Sequence, residues 1–229
     1  MKTALLTLQW GRPGNIENLL KALQGQKNTE FDLIVSNSNR QHDDYFRAQL
    51  DAIELPFEVH YRTDSNDRLG FRRFDIAREL SYDRYIFLDD DVDIGDNFVA
   101  DMVAQYEPNT YHSWYCWSIL SDDYHDRARV ILPKQPIYYA GTGISMIDRS
   151  IVDRPELFDF PPAALYIEDL WLTYVVDFIY KWQIKNVKIP NVRLGGADEV
   201  ALYRRVSKME YRKIDFYRDL LATGWKLKG

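Results

Sequence analysis

Tyr85-Ile86-Phe87-Leu88-Asp89-Asp90-Asp91 is the stretch that decides how this chain is read. Its apolar first half predicts a strand covered on both faces, as central strands of parallel sheets are. Three adjacent carboxylates follow at once. They repel one another, so ending a buried strand with them is costly unless a cation is near. In open α/β sheets ligands bind beyond the carboxyl ends of the strands, and the acidic run falls there. A hard divalent ion such as Mg2+ or Mn2+ takes oxygen ligands and bridges carboxylates to a diphosphate. Alternation along an extended chain predicts Asp89 and Asp91 on one side with Asp90 pointing away. A solvated acidic turn is the competing reading.

Outward from this strand the pattern repeats. Residues 3–8 read as a first strand, followed by the turn Gly11-Arg12-Pro13-Gly14 and a helix through Ile16, Leu19, Leu20 and Leu23, with Asn15 as its cap. Strands at residues 31–35 and 57–61 alternate with helices at 44–53 and 70–80. This β-α alternation predicts an α/β fold, a three-layer sandwich around a mainly parallel central sheet. The second half is less regular. It predicts a helix over 96–106, strands at 114–120, 137–139, 144–147 and 184–189, one helix from Glu168 to Trp182, and a helical end over 200–221. The expected organisation is a single domain over 1–229, with halves at 1–95 and 96–200 and a C-terminal helical segment at 201–229.

Composition narrows the function classes. With 46% hydrophobic and 28% charged residues the 229-residue chain is ordinary globular protein. A net charge of −6 argues against a nucleic-acid partner, because phosphate neutralisation needs a basic surface. One cysteine, Cys116, excludes a disulfide framework and a cysteine zinc cluster. The opening residues lack a signal peptide's apolar region, and no stretch is long enough to span a membrane. The expected location is cytoplasmic. A basic and aromatic segment from Tyr203 to Arg218 reads either as a peripheral contact with an anionic membrane or as a solvated helix packing on the core.

Further groups carry chemistry. Glu168-Asp169 opens an apolar helix; capping explains the pair, and so does a general base that deprotonates a hydroxyl. Gly141-Thr142-Gly143 permits close backbone approach, but it lacks the G-x-G-x-x-G pattern of a dinucleotide loop. Arg68, Arg72 and Arg73 lie upstream of the acidic strand as clamps for a diphosphate or as a solvated helix face. There is no P-loop, G-x-S-x-G or H-E-x-x-H motif.

Taken in order, these pieces are more specific than any one of them. Leu5-Leu6-Thr7 with Arg12-Pro13, the segment Arg68 to Arg73, Phe87-Leu88 with the aspartates, Gly141-Thr142-Gly143-Ile144 and Glu168-Asp169-Leu170-Trp171 together resemble the GT-A glycosyltransferases, especially the family 2 type, over about residues 3–190. The resemblance implies metal-dependent transfer of a sugar, a hexosyl group in expectation, from a nucleotide-diphospho-sugar to a hydroxyl acceptor, with inversion. UDP-sugars are the favoured donor. Asp89 and Asp91 would hold Mn2+ or Mg2+, and Asp169 would be the base with Glu168 beside it. Thr7, Arg12, Asn37, Arg68, Arg73, Asp89, Asp90, Gly141 and Gly143 would contact the donor. Family members commonly carry an acidic residue after the second strand; here Ser36-Asn37-Ser38-Asn39 stands instead. A nucleotide-sugar hydrolase, a nucleotidyltransferase and a non-catalytic binding protein on the same scaffold are the alternatives.

Overall fold

The computed structural model describes residues 1–65, 67–131, 135–195 and 213–226. In chain order its strands are β1 (Thr3–Gln9), β2 (Asp32–Asn37), β3 (Val59–Thr63), β4 (Arg84–Leu88), β5 (Val92–Asp93), β6 (Thr110–Ser113), β7 (Cys116–Ile119), β8 (Arg127–Arg129), β9 (Tyr139–Ala140), β10 (Ile144–Asp148), β11 (Gln183–Asn186) and β12 (Arg193–Leu194). The helices are α1 (Asn15–Gln24), α2 (Asp43–Ala52), α3 (Arg72–Glu79), α4 (Phe98–Ala104), α5 (Arg149–Asp153), α6 (Glu168–Tyr174) and α7 (Lys213–Ala222).

Seven strands form the central sheet in the order β11-β6-β10-β4-β1-β2-β3. The pairs β4-β1, β1-β2, β2-β3 and β6-β11 are parallel; β10 runs antiparallel between β4 and β6. The mainly parallel α/β sandwich expected from the β-α alternation is therefore present.

Side-chain alternation sorts the sheet's apolar residues onto two faces. Leu6, Ile34, Tyr85 and Phe87 pack into one buried cluster with Phe74 of α3 and Leu170 of α6. Leu5, Leu33, Val35, Ile86 and Leu88 pack into the other with Leu19 and Leu20 of α1, Phe46 of α2 and Phe98 of α4. A central strand covered on both faces favours apolar residues, and Tyr85 to Leu88 of β4 are apolar and buried.

Local departures have local causes. Gly14, not Asn15, holds the cap position of α1, and Asn15 is the first helical residue. The helix expected from Glu168 to Trp182 changes at Val175 into a π-helical turn, closed by Tyr180 N donating to Val175 O at 2.8 Å. Strand β6 was not expected, because Thr110, His112 and Ser113 are polar yet buried. The run expected at 114–120 starts only at Cys116. It pairs with β8 and β9 in a separate three-stranded sheet. Residues 203–212 of the basic aromatic segment lie outside the described residues; 213–222 are helical as expected. Among the described residues no helix is long and apolar enough to cross a membrane.

Candidate functional site

Strand β4 ends at Leu88, and Asp89, Asp90 and Asp91 enter a turn before β5. The alternation expected across the three aspartates is broken there. Asp90 and Asp91 share one cation: Arg12 Nη2 donates to Asp90 Oδ1 at 2.6 Å and Nη1 to Asp91 Oδ2 at 2.7 Å. Asp89 faces Arg73, whose Nη2 lies 3.1 Å from its Oδ1. Because the backbone turns, it is Asp90 and Asp91 that converge and Asp89 that diverges.

Electrostatics at this turn are strained. Burial pushes the Asp90 carboxyl up to about 6, with Arg12 opposing and the charges of Asp89 and Asp91 adding. Asp91 is raised as well, first by burial and next by Asp89. Arg12 faces two of these carboxylates, and Arg73 is shared between the third and Glu168; an all-oxygen donor set of this kind suits a hard divalent cation. Asp90 and Asp91, whose carboxylates converge on Arg12, have the donor chemistry for such an ion.

Gly143 makes this packing possible. A Cβ there would lie 2.0 Å from Asp89 Oδ2, and Gly143 O accepts from Asp89 N at 2.8 Å. A Cβ at Gly141 would meet Tyr115 from 3.3 Å. The glycines are thus required for close approach, but the approaching groups are Asp89 and Tyr115, parts of the chain itself.

Arg73 ties the acidic turn to α6. It is buried in α3, and besides Asp89 it reaches Glu168 Oε1 at 3.8 Å. Thr142 also donates to Glu168 Oε1, at 3.1 Å. Burial raises the Glu168 carboxyl, the charge of Asp169 adds to this, and Arg73 opposes it. A Cβ at Gly70 would lie 2.5 Å from Glu168 Oε1, so Gly70 leaves room for that carboxylate. Asp169, half-buried beside it, points elsewhere. Its Oδ2 accepts from the Tyr139 hydroxyl in a very short contact, and its Oδ1 accepts from Leu170 N at 2.8 Å. Burial, reinforced by Asp169, holds the Tyr139 phenol well above its ordinary range, so it stays a donor.

Not every expected contact reaches this centre. Arg68 pairs with Asp75 through two 2.8 Å bonds and stacks on Phe71 and Phe160, away from the acidic turn's own ion pairs. Thr7 is fully buried inside the sheet, and its hydroxyl accepts from Gln9 at 2.9 Å. Its side chain is closed to a ligand. Asn37 is also buried. It donates to the Tyr61 hydroxyl at 3.1 Å and accepts from Asn39 N at 2.8 Å.

Two acids stand near the end of β2 where Ser36 to Asn39 lacks one. Asp43, from the start of α2, accepts from Tyr61, Thr63 and Arg47, and these bonds hold its carboxyl far below the usual range. Asp64, one residue past β3, accepts from Ser36 at 2.7 Å and pairs with Arg62 and Arg72. Both come to β2 through the parallel register that sets Asn37 beside Thr63. The signal for Asp64 was its place at the carboxyl edge of a strand. Gly195 is a third group not anticipated: the β5-β12 pairing brings it under the acidic turn, where a Cβ would lie 2.6 Å from Asp91 O. A cavity of about 150 Å3 opens there between α1 and the turn, lined by Asn15, Asn18, Leu19, Asp90, Asp91 and Gly195.

No family model matches the chain, and no curated protein does. Solved structures do. The mannosyltransferase PcManGT from Pyrobaculum calidifontis, in complex with GDP-Man and Mn2+, superposes with a TM-score of 0.63 at 10% identity over 98% of this chain and 69% of that one. S. aureus TarS 1-349 in complex with UDP gives 0.58 at 14% identity over 97% and 70%. A longer S. aureus TarS structure gives 0.57 at 15% identity, and this chain spans 42% of its length. At such identities the likeness is one of architecture, and in architecture this chain has a GT-A-like glycosyltransferase fold.

Proposed function

We propose that the chain transfers a sugar from a nucleotide-diphospho-sugar to a hydroxyl acceptor, with a divalent cation and inversion at the anomeric carbon. The observation that carries this reading is the meeting of the acidic end of β4 and the acidic start of α6 on one buried guanidinium, Arg73. That junction supports a cation site at the acidic turn and brings the start of α6, where Asp169 follows Glu168, close to it. Neighbours of the same fold that hold UDP, or GDP-Man with Mn2+, support the donor class.

In this reading Asp91 would hold Mn2+ or Mg2+, and Asp89 would join it on turning from Arg73. When bound, the ion would neutralise charge on the departing diphosphate. Arg12 contributes N–H donors at the same turn, where it already serves Asp90 and Asp91. Asp169 accepts the proton of the attacking hydroxyl, oriented by Tyr139. Glu168 is inward and fixed by Arg73 and Thr142; it holds the first turn of α6 in place and does not act as the base. Asp43, at the start of α2, and Tyr61, on β3, would face the nucleoside, with the buried Asn37 bracing Tyr61. Residues 1–95 form the donor half and 96–200 the acceptor half.

The test is transfer from UDP- and GDP-sugars with Mn2+ to an array of hydroxyl acceptors. Asp169→Asn should lower transfer by about a hundredfold or more while donor binding persists. Free sugar, or pyrophosphate, released without transfer would instead assign a hydrolase or a nucleotidyltransferase.

A further inference from the structure

The three-stranded sheet presents one face whose arginines differ from others in the chain. On β8, Arg127 and Arg129 flank the exposed Ala128 and so share a face. Pairing sets Arg129 opposite Trp117 of β7, and Trp117 opposite Tyr139 of β9. This row ends at Asp169, because Tyr139 donates to it. The Arg129 guanidinium lies 4.2 Å from the Tyr115 ring centre and 4.8 Å from that of Trp114. Arg127 lies 4.8 Å from Tyr124 and 5.0 Å from Trp117. Lys213, opening α7, adds a third cation 5.9 Å from the Tyr124 ring.

Most other partly or fully buried arginines are matched by carboxylates: Arg12 by Asp90 and Asp91, Arg62 and Arg72 by Asp64, Arg68 by Asp75, Arg73 by Asp89; Arg84 instead donates to the Thr3 hydroxyl at 2.7 Å. Among the described residues no ion pair joins Arg127, Arg129 or Lys213 to any acid. Asp123, in the loop before β8, turns its carboxylate to the loop's own backbone at His125 N, 2.9 Å away. Burial pulls the Arg129 guanidinium below its ordinary range, with no carboxylate to offset it. The arginines rest on ring faces, and Arg129 Nη2 also donates to Trp114 O at 2.6 Å; these contacts fix them and leave their remaining in-plane N–H groups for an oxyanion. Aromatic rings beside fixed guanidinium groups are the combination that recognises a sugar carrying an anion.

We propose that this face is the acceptor site and that the acceptor is a sugar bearing a phosphate ester, its phosphate held by Arg127 and Arg129 while a hydroxyl is presented to Asp169. The proposal rests on the transferase reading for the role of Asp169, but the anion site is testable without turnover.

The experiment is calorimetric titration of the intact protein with glucose 6-phosphate, mannose 6-phosphate and ribose 5-phosphate, with their parent sugars, and with inorganic phosphate. Arg127→Met and Arg129→Met keep the packing stems and remove the charge; Arg127→Lys tests partial rescue. At least one sugar phosphate should bind more tightly than both its parent sugar and inorganic phosphate. Each methionine variant should weaken it about tenfold, the scale of a lost hydrogen bond to a charged group. Binding of UDP with Mn2+ should be unchanged. Three results would overturn the proposal: no preference for phosphorylated sugars, inorganic phosphate bound as well as any sugar phosphate, or loss of UDP binding in the same variants, which would move the arginines to the donor site. Absence of all sugar transfer would sink the transferase reading and leave this titration interpretable.

Discussion

Arg73 is the residue on which the two halves of the site depend. It is buried and shared between Asp89 and Glu168, two groups that the sequence separates by most of the second half of the fold. Removing one partner of a buried ion pair strands the other charge, whereas replacing both is far better tolerated. Arg73→Ala should therefore destabilise the protein by about 3 kcal/mol in urea unfolding. The double variant R73M/E168Q should recover part of that loss, since the two sites are coupled. Gly143 makes the opposite case, a residue needed for activity more than for stability. Its Cβ would overlap Asp89 Oδ2, so Gly143→Ala must displace that carboxylate. We expect transfer to fall by about a hundredfold, as small misplacements at reacting centres do, with the melting temperature little changed. Equal activity in Gly143→Ala would remove Asp89 from the site.

Among the elements, β6 shows how a polar strand is tolerated one place in from the edge of a sheet. His112 is fully buried there, with Glu107 N donating to its Nε2 at 3.2 Å, and burial lowers it to about 4. Between pH 6.5 and about 4 the unfolded chain binds a proton that the native His112 refuses, so stability rises with pH across that window. The contribution is fully present above pH 6.5 and lost as pH falls, by up to about 3 kcal/mol. Urea unfolding at pH 7 and pH 4.5 should show a smaller loss in His112→Gln than in the parent chain. A loss of the same size in both would place the acid sensitivity elsewhere. The same strand marks where sequence reading stopped. Strands β1 to β4 were legible because their apolar runs alternate with amphipathic helices. Thr110, His112 and Ser113 carry no such pattern, and only their neighbours β10 and β11 make them a strand. The acidic turn was legible as a cluster of carboxylates but not as geometry, because the end of β4 at Leu88 depends on how the backbone turns. Arg68 and Thr7 looked like ligand contacts from position alone; Asp75 and Gln9, which engage them, are visible only once the chain is folded.

For the molecule as a whole, the parallel half gathers its functional groups at one edge of the sheet, the carboxyl ends of β1, β2, β3 and β4. The antiparallel insertion of β10 then carries Gly143 back against Asp89. In the proposed reading a donor binds at this edge, with a cation at Asp89, Asp90 and Asp91. A ligand that binds only the native state stabilises it in proportion to occupancy, by about 2.7 kcal/mol at a hundredfold excess over Kd. The most direct measurement is thermal unfolding with saturating UDP- and GDP-sugars, in Mn2+ and in EDTA, on the parent chain and on Asp91→Asn. At least one donor should raise the melting temperature in Mn2+, and that rise should vanish in EDTA and in the variant. An equal rise in EDTA or in Asp91→Asn, or no rise with any donor, would contradict the account.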